Sequence, residues 1–468
     1  MTVRRLPFVR AVLARVAFVC VSLALFGASC GGELPPRPGA PPEHLLLVTV
    51  AGLRADHVSG TYLYLRPTTA WPLETALKND GQALAVDDLC EQGVALAAAF
   101  APSPKARESL LALHTGFPSV VVDARPSVPT LAEALAKTGF QSQAFVSSRS
   151  LGDTAVLARG FATFEARASD AETLAAAAQA LAKLDRAAAP HVFFWVHLDG
   201  PDAPFEPPAL PPREGEAGGA IDFARRFVDP RYAGSIDGSL ATLEKLERGE
   251  LPLPAADRDR LVDLYDGEVA ATAGLLRNFV SAWRNVDGSG EFFDRTLVVF
   301  AGTSGVDLYE RARAEARRGA WIGVERVRVP LFFRHPGSLT GSRLLSELVE
   351  LTDVAPTVRE WFLGLGSEDV RPPAGGRTLL PRFDTYFVRP FESRAALSFD
   401  LDHRAAALRT AEWTLLSVTP AGSTTPELRL YDRLRDPREE QDLAATKPEK
   451  SAELAAELER RVAALKVP

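Results

Sequence analysis

The stretch Leu46–His57 reads LLVTVAGLRADH, and it continues an apolar run that begins at His44 and ends at Gly52. An apolar run without polar alternation is typical of a central strand that is covered on both faces. Further short runs have the same character, at Ala144–Ser148, Val192–Leu198, Thr296–Ala301 and Val329–Arg334. Each of them predicts a buried strand.

Patterns typical of helices separate these runs. They cover Leu131–Thr138, Asp170–Ala187 and Arg258–Asn285, and in the last of them Leu261 and Leu264 begin an apolar face with helical spacing. Strands that alternate with helices predict an α/β fold, with a large, mostly parallel or mixed central sheet and helices on both faces. No internal repeat is visible in the sequence.

The chain changes character beyond Pro372. Antiparallel strands are predicted at Ala395–Asp400, Ala405–Val418 and Glu427–Asp432, with turns at His403 and Ala421-Gly422, and a helix is predicted at Ser451–Leu465. We therefore predict an α/β domain over residues 44–375 and a small C-terminal α+β subdomain over residues 376–468. The interval Glu206–Ala256 is rich in Pro, Gly and charge, which predicts a surface excursion.

The composition is that of an ordinary globular protein. The 468 residues are 46% apolar and 24% charged, which excludes wholesale disorder, a collagen and a polytopic membrane protein. Lys and Arg number 53 against 60 Asp and Glu, so the net charge of -7 gives no reason to expect a nucleic-acid partner. Three cysteines are too few for a disulfide framework.

The first thirty residues have the pattern of a secretion signal. Arg4, Arg5, Arg10 and Arg15 precede the apolar run Val16–Ala28, which is shorter than the roughly 20 residues that a membrane-spanning helix needs. The small residues before Cys30 resemble a bacterial lipoprotein cleavage site, although Gly27 stands where such sites usually carry Leu. We expect residues 1–30 to be a lipoprotein-type signal peptide and Cys30 to carry the lipid.

The segment that follows Cys30 predicts a tether. Residues 31–43 are rich in Pro and Gly, as in an extended linker. We expect a lipoprotein of the bacterial cell envelope, held to the membrane by its N-terminal lipid and facing the periplasm or the exterior. Plain secretion and an uncleaved anchor are the alternatives, and the oligomeric state stays open.

Blocks of sequence resemble the sulfatase family of the alkaline phosphatase superfamily, and they occur in the family's order. They are Leu46–His57, Ala99–Gly116 (AFAPSPKARESLLALHTG), Val192–Phe205 (VFFWVHLDGPDAPF), Tyr265–Ala270 (YDGEVA) and Thr296–Gly305 (TLVVFAGTSG), followed by Val327–Pro336 and Leu430–Leu443. The resemblance spans about residues 44 to 445. It implies the sulfatase α/β fold with a smaller C-terminal subdomain.

The resemblance also implies a reaction centre at the strand ends. Carboxylates after the first strand and an Asp-His or Asp-Asn pair after a later strand hold a divalent cation, and a nucleophile opens a short helix. On this chain the cation-binding positions fall on Ala51, Gly52, Thr303 and Ser304, and the nucleophile falls on Ala106. None of these residues has the family's chemistry.

The remaining positions are mixed. In the third block the family's Asp falls on Gly200 and its second His on Asp202, while His197 is kept. In the second block Ser109 matches the family, but its Arg or His falls on Leu110. Because catalytic groups act as a unit, we predict a degenerate, non-catalytic member without a bound cofactor.

Several residues are candidates for a remaining function. Lys105 and Arg107 flank Ala106 and would make a cationic pocket floor that holds an anionic glycan or ester; surface ion pairs are the plainer interpretation. The other pocket candidates are Ser109, His197, Asp202, Thr303 and Ser304. A weaker alternative is a hydrolase rebuilt around Ca²⁺ or another divalent cation, held by Asp199, Asp202 and Asp307 near His197.

Three further interpretations concern packing. If the protein is purely structural, we expect larger neighbours such as Leu110 or Phe205 to fill the space at the strand ends where the family has its reaction centre. Asp56 and His57 follow the first strand and are typical of turn and cap chemistry. Asp266 and Glu268 in YDGEVA indicate a helix start or a packing feature rather than a metal site.

Overall fold

The computed structural model describes residues 41–58, 92–124, 127–211, 219–310, 321–339, 343–364, 375–383, 394–400, 402, 404–420 and 422–465. The predicted signal peptide and most of the predicted tether lie outside these residues. The described strands are β1 (His44–Val50), β2 (Val94–Phe100), β3 (Gln141–Ser147), β4 (Thr163–Arg167), β5 (Val192–Leu198), β6 (Ala209–Leu210), β7 (Ile221–Asp222), β8 (Thr296–Gly302), β9 (Leu331–Arg334), β10 (Arg343–Glu350), β11 (Ala396–Asp400), β12 (Ala405–Arg409), β13 (Trp413–Val418) and β14 (Glu427–Asp432).

The described helices surround these strands. They are α1 (Ala106–Thr115), α2 (Ser119–Ala124), α3 (Leu131–Ala136), α4 (Asp170–Ala182), α5 (Phe223–Arg226), α6 (Leu240–Glu247), α7 (Ala255–Asn285), α8 (Glu291–Asp294), α9 (Val324–Val327), α10 (Val354–Leu363), α11 (Leu380–Phe383) and α12 (Pro448–Leu465), with short 3-10 turns at Ala55–His57 and Leu351–Asp353. In the described part of the chain, no helix combines the length and the apolar character that crossing a bilayer requires.

The large sheet has eight strands in the order β10-β2-β9-β8-β1-β5-β3-β4. Strand β9 runs antiparallel to β8 and β2, and the other neighbouring strands pair in parallel. Every residue of β1, β5 and β8 is buried, which explains why these strands are continuous apolar runs in the sequence. The predicted mostly parallel, mixed sheet is confirmed.

Successive residues of β1 face opposite layers of the protein. Leu45 and Leu47 pack into the core that includes α1, α3 and α10, whereas Leu46 and Val48 pack into the core that includes α4 and α7. Both faces of the central strand are therefore covered by helices. This arrangement places the carboxyl ends of β1, β5 and β8 side by side at one edge of the sheet.

Some elements differ from the prediction. Strands β2, β4 and β10 were not predicted, because β2 consists largely of alanine and the other two lie at the edges of the sheet. The helix predicted at Asp170–Ala187 ends at Ala182. The predicted surface excursion contains β6, β7, α5 and α6, and it buries Phe223 and Leu243 in the core beside α7.

The C-terminal part forms a four-stranded antiparallel sheet in the order β11-β12-β13-β14. The single strand predicted over Ala405–Val418 is wrong, because a turn divides it into β12 and β13. In this turn the Thr410 N–H donates to the carbonyl oxygen of Trp413 at 2.8 Å. The predicted turn residues His403 and Ala421 lie outside the described residues.

The second sheet is buried on both faces and holds the loop before α1. One face packs against α12 through Leu408 and Leu454, and Ala407 on the other face joins the main core. Two hydrogen bonds reach the loop, because the Phe399 N–H donates to the Pro102 oxygen and the Ser398 hydroxyl donates to the Ala101 oxygen, each at 2.8 Å. The second sheet therefore fixes the backbone that leads into α1.

Candidate functional site

The ends of three central strands meet at the position of the expected reaction centre. The Ala51 N–H donates to the Leu198 oxygen at 2.8 Å, which joins the exits of β1 and β5. The Thr303 N–H donates to the Val50 oxygen at 2.9 Å, which joins the exits of β8 and β1. Ala51 and Thr303 are fully buried. The structure thus brings together Ala51 and Thr303, which are two of the four positions that the resemblance assigned to cation binding.

Gly52 leaves no room for a side chain. Its φ of +66° belongs to the left-handed region that favours glycine. A Cβ atom at this position would lie 2.5 Å from the nitrogen and 2.6 Å from the Cα of Asp202. The Gly52 N–H donates to the Ser304 hydroxyl at 3.2 Å. The space for a carboxylate at position 52 is therefore filled by backbone.

Gly200 is equally enclosed. A Cβ atom there would lie 2.0 Å from Oγ1 of Thr272 and 2.8 Å from Oδ2 of Asp170. The Gly200 N–H donates to the same Asp170 oxygen at 2.9 Å. Gly52 and Gly200 thus occupy two positions at which the resemblance implies carboxylates, and neither position accepts a side chain without rearrangement.

Helix α1 begins at Ala106, as the resemblance implies for the nucleophile position. Lys105 is its N-cap, and no side chain caps the helix. The Ser109 hydroxyl donates to the Ser103 oxygen at 2.9 Å, and the Ser103 hydroxyl accepts from the Lys105 N–H at 3.2 Å. The two serines therefore stabilise the turn into the helix, and the methyl group of Ala106 stands at its first position.

The cationic residues that flank Ala106 have partners within the protein. The Lys105 ammonium forms an ion pair with Asp402 and lies 3.8 Å from a carboxylate oxygen of Asp400. The Nε of Arg107 donates to the Asp153 oxygen at 2.8 Å. Lys105 therefore links the start of α1 to the turn after β11, and Arg107 links it to the loop after β3.

His197 lies in a buried polar chain. Its Nδ1 is 2.9 Å from the Thr49 hydroxyl, which also accepts from the Trp195 indole N–H at 2.9 Å. Its Nε2 lies 3.4 Å from Oδ1 of Asp199, and this oxygen accepts a hydrogen bond from the Ser150 hydroxyl. Burial opposes ionisation of Asp199, but these contacts with His197 and Ser150 hold its pKa below the usual value.

The acids of the rebuilt-metal alternative point to separate partners. Oδ1 of Asp202 accepts from the Ala203 N–H at 3.1 Å, and Oδ1 of Asp307 accepts from the Tyr309 N–H at 2.8 Å. Burial raises the pKa of both carboxyls. Within the described ranges, no three His, Cys, Asp or Glu side chains are arranged to hold a metal ion. The residues at this edge of the sheet thus do not fit the divalent cation that the resemblance implies.

Sequence reasoning missed the network that fixes the loop after β1. The buried Arg54 guanidinium donates to both carboxylate oxygens of Asp56, at 2.9 and 2.7 Å, and to Glu310 at 2.6 Å. Burial opposes ionisation of Asp56, yet Arg54 holds the pKa of Asp56 well below its usual range. The Tyr265 hydroxyl donates to the Gly52 oxygen and accepts from the Arg54 N–H, each at 2.9 Å.

Two pairs of polar residues join this loop and β5 to the helices. Nδ1 of His57 lies 2.7 Å from Oδ1 of Asp266, in the middle of α7 rather than at its start, and both side chains are fully buried. Oδ1 of Asp170 accepts from the Ser147 hydroxyl at 2.6 Å and from the Asp199 N–H at 2.9 Å. The contact of Asp266 supports its packing interpretation, and His57 lies in the 3-10 turn after β1, where a turn residue was expected.

Glu268, which the sequence analysis interpreted with Asp266 as a helix start or a packing feature, is a buried acid inside the helix rather than at its start. It lies on α7 in the same short segment as Asp266, and burial raises the pKa of its carboxyl to about 8. Burial also raises the pKa of Asp170. At neutral pH the Glu268 carboxyl therefore favours the neutral form and adds little negative charge to the edge of the sheet.

Comparison with known proteins gives a clear result at the level of structure. No family model and no curated protein matches the sequence. The phosphonate monoester hydrolase of Agrobacterium radiobacter matches the structure with a TM-score of 0.63 at 16% identity, over 91% of this chain and 96% of that one. The chain has a sulfatase-like fold. This confirms the fold that the resemblance implies.

Two further structures with the sulfatase-like fold match over similar lengths. One is a protein solved in complex with its substrate D-glucosamine-2-N,6-O-disulfate, with a TM-score of 0.62 at 16% identity over 92% of this chain and 98% of that one. The other is a 2-O GAG sulfatase, with a TM-score of 0.59 at 16% identity over 91% and 93%. At this identity the likeness establishes the fold alone.

Proposed function

We propose that this chain is a non-catalytic, sulfatase-like protein of the bacterial cell envelope that acts by binding an anionic ligand or a partner. The observation that carries the proposal is the close contact of Gly52 with the backbone of Asp202, because it fills the space that a cation-binding carboxylate would need. Hard divalent cations require several oxygen ligands. Ala51 and Thr303 at the neighbouring strand ends supply no carboxylate.

The loss of the nucleophile supports the same proposal. The methyl group of Ala106 at the start of α1 has no atom that attacks sulfur or phosphorus. Because the groups of a reaction centre act together, the loss of several leaves only a background rate. The polar residues that remain nearby, His197 and Asp199 among them, are hydrogen-bonded or paired within the fold.

The arrangement of Lys105 bears on what the protein binds. An anionic glycan or ester at the start of α1 would have to displace Asp402 and Asp400 from the Lys105 ammonium. A protein partner that contacts the surface elsewhere needs no such displacement. Binding of a protein partner elsewhere on the surface is therefore favoured over binding of an anionic ligand at Lys105.

An activity assay tests the loss of hydrolysis. The mature protein is incubated with aryl sulfate and aryl phosphate in the presence of Ca²⁺, Mg²⁺, Mn²⁺ or Zn²⁺, with a phosphonate monoester hydrolase as the positive control. We expect no turnover above the buffer rate. Sustained multiple turnovers that disappear on adding a chelator would contradict the proposal and support a metal-dependent ester hydrolase with a rebuilt site.

Anchoring through Cys30 is a separate part of the proposal. It is supported by the small residues before Cys30 and by the Pro- and Gly-rich segment after it. Labelling with a radioactive fatty acid in a bacterial host should place label on the wild-type protein and none on the Cys30→Ser variant. Release of unlabelled wild-type protein into the medium would instead indicate plain secretion.

A further inference from the structure

Three arginines from separate segments meet where the large sheet contacts the C-terminal sheet. Arg409 ends β12 and Arg433 follows β14, and their guanidinium carbons lie 5.2 and 5.5 Å from the centroid of the Phe100 ring. Arg328 lies in the segment before β9 and forms an isolated β-bridge with Phe100. All three are thus held by strands or strand ends rather than by free loops.

The hydrogen bonds of Arg328 and Arg433 go to backbone carbonyls. Nε and one terminal nitrogen of Arg328 donate to the Ala97 oxygen at 3.2 and 2.8 Å. A terminal nitrogen of Arg433 donates to the oxygens of Thr410 and Ala411, the latter at 3.4 Å. Carbonyl oxygens hold these side chains in place but do not neutralise their charge.

Arg409 carries an unsatisfied donor. Its Nε donates to Glu439 at 3.2 Å, and one terminal nitrogen donates to the Ile322 oxygen at 2.9 Å. The side chain is fully buried, and its other terminal nitrogen has no hydrogen-bond acceptor among the described residues. A buried charged donor without an acceptor is costly, so an acceptor supplied from outside the chain would be stabilising.

The charges of the cluster are unequal. Among the described residues, Glu439 is the carboxylate that hydrogen-bonds to this group, and it also accepts from the Val324 N–H at 2.9 Å. Asp56, which is itself bound by Arg54, also acts on Arg328 through its charge, so the three guanidinium groups still outnumber the two carboxylates near them. Burial and the neighbouring arginines lower the pKa of Arg433 to about 10, which reflects the same excess of positive charge.

We propose that Arg328, Arg409 and Arg433 form a binding site for a small tetrahedral oxyanion, of the sulfate or phosphate class, between the two sheets. Guanidinium groups suit such an anion because they present several fixed N–H donors. The site draws on β12, on the segment before β9 and on the residue after β14, and it uses neither Ala51 nor Ala106. It therefore stands apart from the proposed loss of hydrolysis, and a bound anion would stabilise the docking of the second sheet.

Binding of inorganic sulfate and phosphate by the full mature chain tests the site. Equilibrium dialysis is carried out at constant ionic strength, with chloride as the balancing anion. Arg433→Gln removes one guanidinium that donates hydrogen bonds to backbone carbonyls and lies over the Phe100 ring, and Arg435→Gln, whose side chain is 90% exposed, is the matched control. We expect saturable binding of one anion per chain, weakened about tenfold or more by Arg433→Gln and unchanged by Arg435→Gln.

Two measurements keep the test decisive. Sulfate should protect Arg433 of the wild-type protein, and not Arg435, from modification by phenylglyoxal, which needs no variant to fold. The sulfate-induced rise in unfolding midpoint should be smaller in Arg433→Gln than in Arg435→Gln, a comparison that removes the general effect of sulfate on protein stability.

Glucose 6-sulfate in place of sulfate distinguishes an ester from the free ion, and binding of either supports the site. Absence of saturable binding to the wild type, or equal binding by Arg433→Gln, would overturn it.

Discussion

Gly52 packs so closely against Asp202 that a Cβ atom at position 52 would lie 2.5 Å from the Asp202 nitrogen. Real Cβ atoms do not approach backbone that closely, so any substitution must move one of the two chain segments. We expect Gly52→Ala to lower the free energy of unfolding by about 2–5 kcal/mol, since it adds left-handed strain to steric overlap. Urea unfolding followed by circular dichroism measures this loss.

Gly152 provides the matched control for this substitution. It has a φ of +57°, but no atom lies within 4 Å of the position of a Cβ. Gly152→Ala therefore carries the left-handed strain alone, about 1–2 kcal/mol. Equal losses for the two variants would mean that the contact between Gly52 and Asp202 is not the close one described.

The buried pair of His57 and Asp266 should contribute strongly to stability. Asp266→Ala leaves the imidazole without its partner in a fully buried position, so we expect a loss of about 2–4 kcal/mol. Asp266→Asn keeps an oxygen acceptor and should recover part of this loss. Thermal or urea unfolding of both variants is the measurement. Wild-type stability in Asp266→Ala would show that the pair does not hold the loop after β1.

Glu268 should make the stability of the protein depend on pH. Its pKa is raised from 4.5 to about 8, so between these values the folded carboxyl keeps its proton while the unfolded one releases it. The folded state then binds more protons, and the free energy of unfolding falls as the pH rises.

Glu268→Gln removes this titration. The variant should gain stability relative to the wild type as the pH rises from 5 to 8, by at most about 1.4 kcal/mol per pH unit. Urea unfolding of both proteins at several pH values in one buffer series gives the difference. A difference that stays constant over this range would refute the assignment of the raised pKa to Glu268.

Restoring a nucleophile alone should not restore hydrolysis. Ala106→Ser places a hydroxyl at the first position of α1, but Ala51, Gly52 and Thr303 still supply no carboxylate for a cation. We expect aryl sulfate and aryl phosphate turnover to remain at the buffer rate. Chelator-sensitive turnover by Ala106→Ser would mean that a competent cation site exists, contrary to the proposed function.

Much of the large sheet was predictable because its central strands are buried on both faces. The runs at β1 and β5 have the residue types that such strands need, and Val192–Leu198 has the predicted bounds. Strand β2 was missed because its alanines lack the large apolar side chains that mark a strand. The turn at Thr410 was missed because no glycine or proline marks it.

The residues of the candidate site were predictable from the family resemblance rather than from apolar patterns. Aligned blocks identified Ala51 and Ala106 as residues without the family's chemistry, and the structure places them at a strand exit and at a helix start. The enclosure of Gly52 was not predictable, because it depends on a loop almost 150 residues away in the sequence, at Pro201-Asp202. The cluster of Arg328, Arg409 and Arg433 also depends on tertiary contacts between distant segments.

The hydrogen bonds of Ser398 and Phe399 to the backbone before α1 have a practical consequence for handling this protein. A chain truncated before β11 would expose the Ala101 and Pro102 carbonyls together with an apolar face of the main core. Expression of the α/β part alone should therefore yield aggregated material, and a proteolytic cut in the intact protein should leave its two fragments associated.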